Sequence, residues 1–534
     1  MVIAGWLENR QILAQNPGLS MTALLRSGHN LGFIIEKKIL LDSDMESNLK
    51  FNFRDGQDVI LVIVFSVERM RAKMRNISFI EAKSPETHIF SKFPIPRLGS
   101  LILGTILKKK GYEVKVYIED FERPDWSFVE NSDLVCISTI TSTAFRAYEI
   151  ADKLRTKNIP VVMGGVHPTF VPDESLKHSD YVVRQEGDIT LPELLSSLES
   201  GNPPLTSILG LSYKDKNDAI MHNPSRPLIE DLDNLPEPDL SLIPNWNLLN
   251  LYPVSTSRGC PFDCSFCSVI EMFGRKYRSE SVEATLRKLR HIAAISKSTI
   301  FFVDDNFTAN KKRAKEILKG MIGEGIKRRW VAQARTDVAE DVELLRLMAD
   351  SGCHTLHIGF ESINPKTLEA YNKKQGVEEI RKCIRVVKDY GIHLHGMFVV
   401  GADTDDLDTI KNTVDFAIEN HIDTVQLMML TPLPGTPFFF EILNSKRLLH
   451  TNWSKFDGHH IVFKPNLMSP QTLHVNTLKA MGRFYSWKYI FSHLFKFDFY
   501  TMVGLFGKKA IRQALMESTR YLESIGIAVP YVNK

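Results

Sequence analysis

A chain of 534 residues exceeds what one hydrophobic core normally fills, so two or three domains are expected. Hydrophobic residues at 43% and charged residues at 24% describe a soluble globular protein and exclude a disordered or membrane-embedded one. With 66 basic against 63 acidic residues, the net charge of +3 requires neither nucleic acid nor an anionic membrane as partner, although a local basic patch is compatible with such a total.

The start of the chain lacks the charged, apolar and small-residue blocks of a signal peptide. Its longest early apolar run, Val59 to Phe65, has seven residues, far short of the roughly 20 that cross a bilayer. Residues 1–73 read either as an extension ahead of a start at Met74 or as a peripheral segment. From 74 to about 225 strands alternate with helices. NISFIEAKSP opens the series. A helix from Leu98 to Lys110 ends at Gly111, a C-cap residue. Strands VKVYIED and LVCISTI, a helix from Ala144 to Thr156, strand Val161 to Gly165 and the short strand Asp180 to Arg184 follow. Such alternation predicts parallel βαβ units in a doubly wound, Rossmann-like sheet, whose ligands bind at the carboxyl ends of its strands.

Residues 226–250 hold four prolines and read as a linker. A second series then runs from 251 to 445. Its strands are YPVSTSR, TIFFVDD, RWVAQAR, TLHIGFE, LHGMFVVG and TVQLMML, with helices at Glu283–Ala294, Lys311–Gly323 and Val377–Tyr390 among them. Six βα units predict a partial parallel barrel with its active site at the C-terminal strand ends. Residues 446–534 read as a helical region rich in aromatics. Its stretch from Phe484 to Phe506 fits a helical core against the barrel, or a surface for a membrane or lipid-like substrate.

Three of the six cysteines, Cys260, Cys264 and Cys267, fall within eight positions as C-x3-C-x2-C after strand YPVSTSR. Clustered thiols in such a chain point to metal or redox chemistry rather than to disulfides. A loop with this spacing can wrap three corners of an iron–sulfur cube and leave one iron open. A structural zinc site normally has four ligands, and the nearest spare candidates, Cys353 and His354, lie about 90 residues on. Cys136, Cys353 and Cys383 fit packed core positions instead. His393 and His395 alternate on a strand and read as core or solvent histidines. The role of His459-His460 is open.

With Phe266 as the aromatic, the motif C-x3-C-x-aromatic-C resembles the radical S-adenosylmethionine (SAM) family over residues 250 to about 440. The resemblance implies a [4Fe-4S] cluster on the three cysteines and SAM chelated to the fourth iron. It places Asp304, Asp305 and Asn306 near the SAM amine, although an Asp/Asn cap for the Asn310–Gly323 helix reads equally well. Arg335, with Gln333 beside it, would pair a carboxylate of SAM or substrate, or make a surface salt bridge. Gly359 and Glu361 match the segment near the ribose, Gly401 the loop that stacks on adenine, and Thr431–Pro437 the end of the last strand.

Joined to such a domain, residues 75–225 resemble the cobalamin-binding module of B12-dependent radical SAM enzymes. That likeness implies corrin contacts from Ser138, Thr139, Thr141, Ser142, Gly164, Gly165, His167, Glu186 and Gly187. The D-x-H-x-x-G segment that supplies a histidine to cobalt in several cobalamin proteins is absent, so His167 reads as a polar surface or tail contact rather than an axial ligand. The missing G-x-G-x-x-G loop speaks against a nicotinamide. The expected enzyme is a cytoplasmic, cobalamin-dependent radical SAM methyltransferase of the class B type, acting on an unactivated carbon. Its substrate would be a small or lipid-like molecule, and its electron donor a flavodoxin or ferredoxin. Anaerobic porphyrin cyclase-like ring formation is the alternative reaction, and a cobalamin or redox sensor the alternative without catalysis.

Overall fold

The computed structural model describes residues 50–51, 59–60, 74–84, 95–494 and 500–527. The chain divides into two compact units, Met1–Met70 and Arg71–Lys534. In the first, β1 (Lys50–Phe51) pairs antiparallel with β2 (Val59–Ile60); the rest of that unit, and with it the reading of residues 1–73, lies outside the described residues.

The larger unit carries two sheets that position everything else. The first has seven strands: β3 (Asn76–Glu81), β4 (Glu113–Ile118), β5 (Leu134–Ser138), β6 (Val161–Gly164), β7 (Tyr181–Val183), β8 (Leu211–Lys214) and β9 (Ile220–His222), in spatial order β4-β3-β5-β6-β7-β8-β9. From β4 to β7 all pairings are parallel. These strands are buried runs of Val, Ile, Leu and Phe, as a sheet covered on both faces requires. Helices Leu98–Lys109, Ala144–Arg155 and Gly187–Ser200 cover it. The chain leaves β3 for β4 on one side and returns to β5 on the other, so the switch point opens between the carboxyl ends of β3 and β5. Beyond β7 the sheet turns antiparallel through the β8–β9 hairpin, which the sequence reading did not identify. All three residues of β9 are exposed, so no apolar alternation marks it.

The second sheet runs β10 (Leu251–Val254), β13 (Thr299–Phe302), β14 (Trp330–Ala334), β15 (Cys353–Glu361), β16 (His393–Val400) and β17 (Thr424–Met429) in chain order. Every neighbouring pair is parallel, which makes this the partial (β/α)6 barrel expected from the alternation. A two-stranded ribbon, β11 (Ser257–Arg258) with β12 (Arg278–Ser279), stands at the end of β10 and frames the cysteine loop between them. The linker from 226 to 250 is irregular apart from the short 3-10 turns Leu240–Leu242 and Trp246–Leu248.

After β17 comes helix Pro437–Asn444; the region expected to be helical from 446 is irregular up to 469, apart from the 3-10 turn Trp453–Lys455 and the bridge Leu448–Phe463, and helical from Pro470. Pro470–Phe484 lies against β17 and helix Leu407–Glu419, and the Tyr485 hydroxyl donates to the Val425 carbonyl at 2.9 Å. Among the described residues no helix is long and apolar enough to cross a membrane.

Candidate functional site

The cysteine loop leaves β11 at Gly259, whose φ of +82° lies in the left-handed region. A Cβ there would stand 2.6 Å from the Lys276 carbonyl, so only glycine lets the loop start this close to its own return strand. Cys260, Cys264 and Cys267 follow, half-buried and free of disulfides. The Cys267 amide donates to the Cys264 carbonyl at 3.1 Å, which tightens the turn. Phe266 packs edge-on against Tyr371 with ring centroids 4.8 Å apart, so the aromatic of the motif anchors the loop to the barrel. Burial pushes the Cys260 thiol up and the Cys267 thiol to about 12. Each of the two also feels the charge of Cys264 and of Asp305, and Cys260 that of Arg335. Thiols in such a setting ionise only with a cationic group beside them, and three ligands in one short loop are the donor set of a cluster corner.

Around the loop, the expected residues divide by what they touch. Asp304 is buried, and its Oδ1 accepts the amides of Thr256 and Ser257 at 2.7 and 2.8 Å while Oδ2 accepts the Thr256 hydroxyl at 2.7 Å. It therefore holds the β10–β11 corner that launches the cysteine loop. Asp304 and Asp305 do not cap the helix that follows; Asn310 does, accepting the Arg313 amide at 3.0 Å. Asp305 is exposed at the strand end, yet protein crowds it enough that desolvation, and then the Asp304 charge, push its carboxyl up to about 6. Asn306 accepts the Thr308 amide and hydroxyl, and its buried Nδ2 has no protein partner. Arg335 is buried, with its guanidinium 3.7 Å from the centroid of Phe262 inside the cysteine loop.

Glu361 ends β15 at a φ of +62°, and its carboxylate takes the Lys373 ammonium at 2.7 Å. A Cβ on Gly359 would strike that carboxylate. Lys373 was not singled out in the sequence. Gly401 lies farther across the sheet, where its amide and that of Ala402 donate to Asp405 Oδ2 at 3.0 and 3.1 Å.

A cavity of about 320 Å³ joins the two sheets. One wall is the carboxyl edge of the first sheet: Ser138 ending β5 with Thr139 after it, Gly164 ending β6 with Gly165 after it, and Glu186 and Gly187 beyond β7. The other is Ser255, Ser257, Arg258, Met272, Val303 and Asp305 from the barrel, two residues or fewer from the cysteine loop at Arg258. Gly165, at φ +99°, lets the β6 loop pass the Thr139 carbonyl, 2.6 Å from where its Cβ would be. A Cβ on Gly99 would meet nothing within 4 Å. Small side chains and bare backbone on this wall suit a flat macrocycle that must approach the strand ends closely.

Three residues expected here are elsewhere. Thr141, Ser142 and His167 do not line the cavity. His167 is fully buried rather than on the surface, its Nε2 2.9 Å from the Tyr148 hydroxyl and its ring 5.3 Å from that of Trp453. Burial lowers its pKa to about 4, so the ring is neutral. No histidine lines the cavity among the described residues. Cys136 does line it, buried within β5.

Glu186, besides lining the cavity, acts as a clamp. Its Oε1 lies 2.9 Å from Arg278 Nη2 and 3.2 Å from Arg258 Nη1, and its Oε2 accepts the Ile229 amide at 2.7 Å. Asp188 takes Arg258 in a bidentate pair at 2.9 and 3.0 Å. These buried ion pairs bind the start of the Gly187–Ser200 helix to the ribbon that frames the cysteines. Arg258 stands directly before Gly259-Cys260, and that adjacency was the one signal in the sequence for it.

The histidines set aside in the sequence have protein partners. His393 Nδ1 lies 3.0 Å from Asp423, His395 Nδ1 2.8 Å from the Thr424 hydroxyl, and His460 Nδ1 2.9 Å from Asp457, which also accepts the His459 amide.

Comparison with known proteins adds the chemistry to this geometry. The family model for the radical SAM superfamily matches residues 254–417, and that for the B12 binding domain matches 90–195. An uncharacterised methyltransferase of Pyrococcus horikoshii is 33% identical over 410 residues, covering 73% of this chain and 88% of the relative. The bacteriochlorophyllide d C-12(1)-methyltransferase of Chlorobaculum tepidum is 28% identical over 434 residues, covering 79% and 90%. In fold, the chain is similar to the radical S-adenosylmethionine methyltransferase TsrM from Kitasatospora setae, solved with cobalamin and a [4Fe-4S] cluster bound. The TM-score is 0.63 at 16% identity, with 84% of this chain and 100% of that one covered.

Proposed function

The chain belongs to the radical SAM superfamily, in the branch that carries a B12-binding domain, and from that membership we propose a cobalamin-dependent methyltransferase that acts on an unactivated carbon. The observation that carries this reading is the single cavity shared by the carboxyl ends of the first sheet and the approach to the cysteine loop. Two cofactors held on opposite walls of one space can act on one substrate between them.

In this reading 74–225 binds cobalamin, 226–250 links, 251–445 forms the radical SAM core, and 446–534 covers the barrel. Cys260, Cys264 and Cys267 would hold the [4Fe-4S] cluster and leave it open to SAM. When bound, cluster and SAM supply a 5′-deoxyadenosyl radical, and cobalamin supplies the methyl carrier. The protein's part is orientation and exclusion of water. Asp304 fixes the corner from which the loop departs, through the Thr256 and Ser257 amides. Asp305, free of that duty, would accept from the SAM amine. Arg335, flat on Phe262, offers its remaining donors to a carboxylate. Lys373 keeps Glu361 in place for sugar hydroxyls. Ser138, Thr139, Gly164 and Gly165 form the bed on which the corrin rests. We place the enzyme in the cytoplasm, reduced by a flavodoxin or ferredoxin, with a small or lipid-like substrate.

The experiment is anaerobic reconstitution with reductant and methyl-labelled SAM. Release of both 5′-deoxyadenosine and S-adenosylhomocysteine is expected, with Cys264→Ala losing the 4Fe–4S absorbance and 5′-deoxyadenosine together. A Cys264→Ala protein that kept its cluster absorbance would refute the ligand assignment. Deoxyadenosine without label on cobalamin or product would exclude methyl transfer.

A further inference from the structure

Helix Trp487–Leu494 turns Ile490 and His493 inward and leaves Trp487, Phe491 and Leu494 in solvent. Their spacing of four and three residues puts all three on one stripe. Helix Tyr500–Ser524 likewise buries Tyr500, Gly504, Gly507 and Ile511 and exposes Met502 and Leu505. The two helices pack together, with the His493 and Tyr500 rings 5.5 Å apart. Lys508 of the second helix sits 5.2 Å from the ring of Trp487 on the first, so the apolar stripe and a cation share one side of the pair. Trp487 is 54%, Phe491 51% and Met502 64% exposed, and they are grouped on one pair of packed helices rather than scattered singly over the surface. Among the described residues of the pair up to Arg512 the charges are all basic, namely Lys488, Lys508, Lys509 and Arg512, and Glu517 is the first acid beyond them.

We propose that this helical pair docks on the surface of a bilayer containing anionic lipid. Trp487, Phe491, Leu494, Met502 and Leu505 would enter the boundary between headgroups and acyl chains, and Lys488, Lys508, Lys509 and Arg512 would meet lipid phosphates. A protein partner fits worse, because lysine is depleted at protein interfaces, whereas tryptophan beside lysine is the pairing of a membrane boundary. Neither helix is long and apolar enough to cross, so the pair lies on the membrane rather than through it. The proposal does not depend on the reaction assigned above.

Co-sedimentation of the full-length, cluster-loaded protein with vesicles tests it. Binding is expected to phosphatidylcholine vesicles containing phosphatidylglycerol, with little to phosphatidylcholine alone and a loss on raising salt. Lys508→Glu with Lys509→Glu should weaken the anionic vesicle binding by roughly tenfold or more. Trp487→Ser with Phe491→Ser should do the same without shifting the melting temperature, since both side chains are exposed. No sedimentation with anionic vesicles, or charge reversal without effect, would overturn the proposal. So would a dimer in lipid-free sedimentation that the Trp487/Phe491 variant dissolves, because the face would then be covered by a second copy.

Discussion

Substituting Asp304 and Asp305 one at a time separates a residue that builds the site from one that faces it. Asp304 accepts two amides and one hydroxyl from Thr256 and Ser257, all within 2.8 Å. Hydrogen bonds to an ionised acceptor contribute about 1.5–3 kcal/mol each, and Asp304→Ala strands two buried amides. Relaxation of the corner recovers part of that, so a loss of about 4 kcal/mol is expected. For a domain of this size, the melting temperature should fall by roughly 8–16 °C. Asp305 accepts no such set, and its raised pKa marks a charge that the fold resists, so Asp305→Ala should be at least as stable as the parent at neutral pH. Anaerobic calorimetry on cluster-loaded protein measures both, and deoxyadenosine release at saturating reductant reads function. Asp305→Ala should lose SAM cleavage while melting normally. If Asp304→Ala melted with the parent, or Asp305→Ala were the less stable of the two, the division of roles would be wrong.

Arg278→Met leaves Glu186 buried with one of its two arginines gone, which should cost about 3–5 kcal/mol; urea unfolding of the single variant and of Glu186→Leu/Arg278→Met should show the pair recovering much of it. His167 has its pKa lowered from 6.5 to about 4 by burial beside Tyr148, with the Glu174 carboxylate nearby. A depressed base contributes stability that is complete above its unfolded pKa and falls away as pH drops toward the folded value. By about pH 5 the loss from this group is about 2 kcal/mol. His167→Gln should therefore lose that much less stability than the parent between about pH 7.5 and about pH 5, read from melting curves at each pH. Gly165→Ala puts a Cβ 2.6 Å from the Thr139 carbonyl in a left-handed backbone, and cobalamin titration should show affinity down about tenfold or more with the cluster spectrum unchanged.

What the sequence showed and hid follows from how local each signal is. The parallel strands were legible because burial on both faces writes Val, Ile and Leu into unbroken runs such as LVCIS and VVMG, and the cysteine motif because its ligands share one loop. That Gly164, Gly165, Ser138 and Thr139 line the cavity was legible, because a doubly wound sheet opens its cleft at the strand ends. The clamp was not. Glu186, Arg258 and Arg278 are 72 and 92 positions apart along the chain from the first, and no period in the text links them. Nor was the burial of His167, which depends on Trp453, a residue from beyond the last barrel strand that packs into the core of the first sheet. The β9 strand escaped because, lying exposed, it carries no apolar pattern at all.

The clamp has a consequence for how this architecture can diversify. Arg258 is two residues from the first cysteine, and Asp188 is one residue from Gly187 on the facing wall, so this pair, with Glu186 and Arg278, ties the two walls of the cavity together. Widening the gap between them to admit a bulkier molecule would separate radical source from methyl donor by the same amount. A change at Arg258 or Asp188 should therefore be felt at both reacting centres at once.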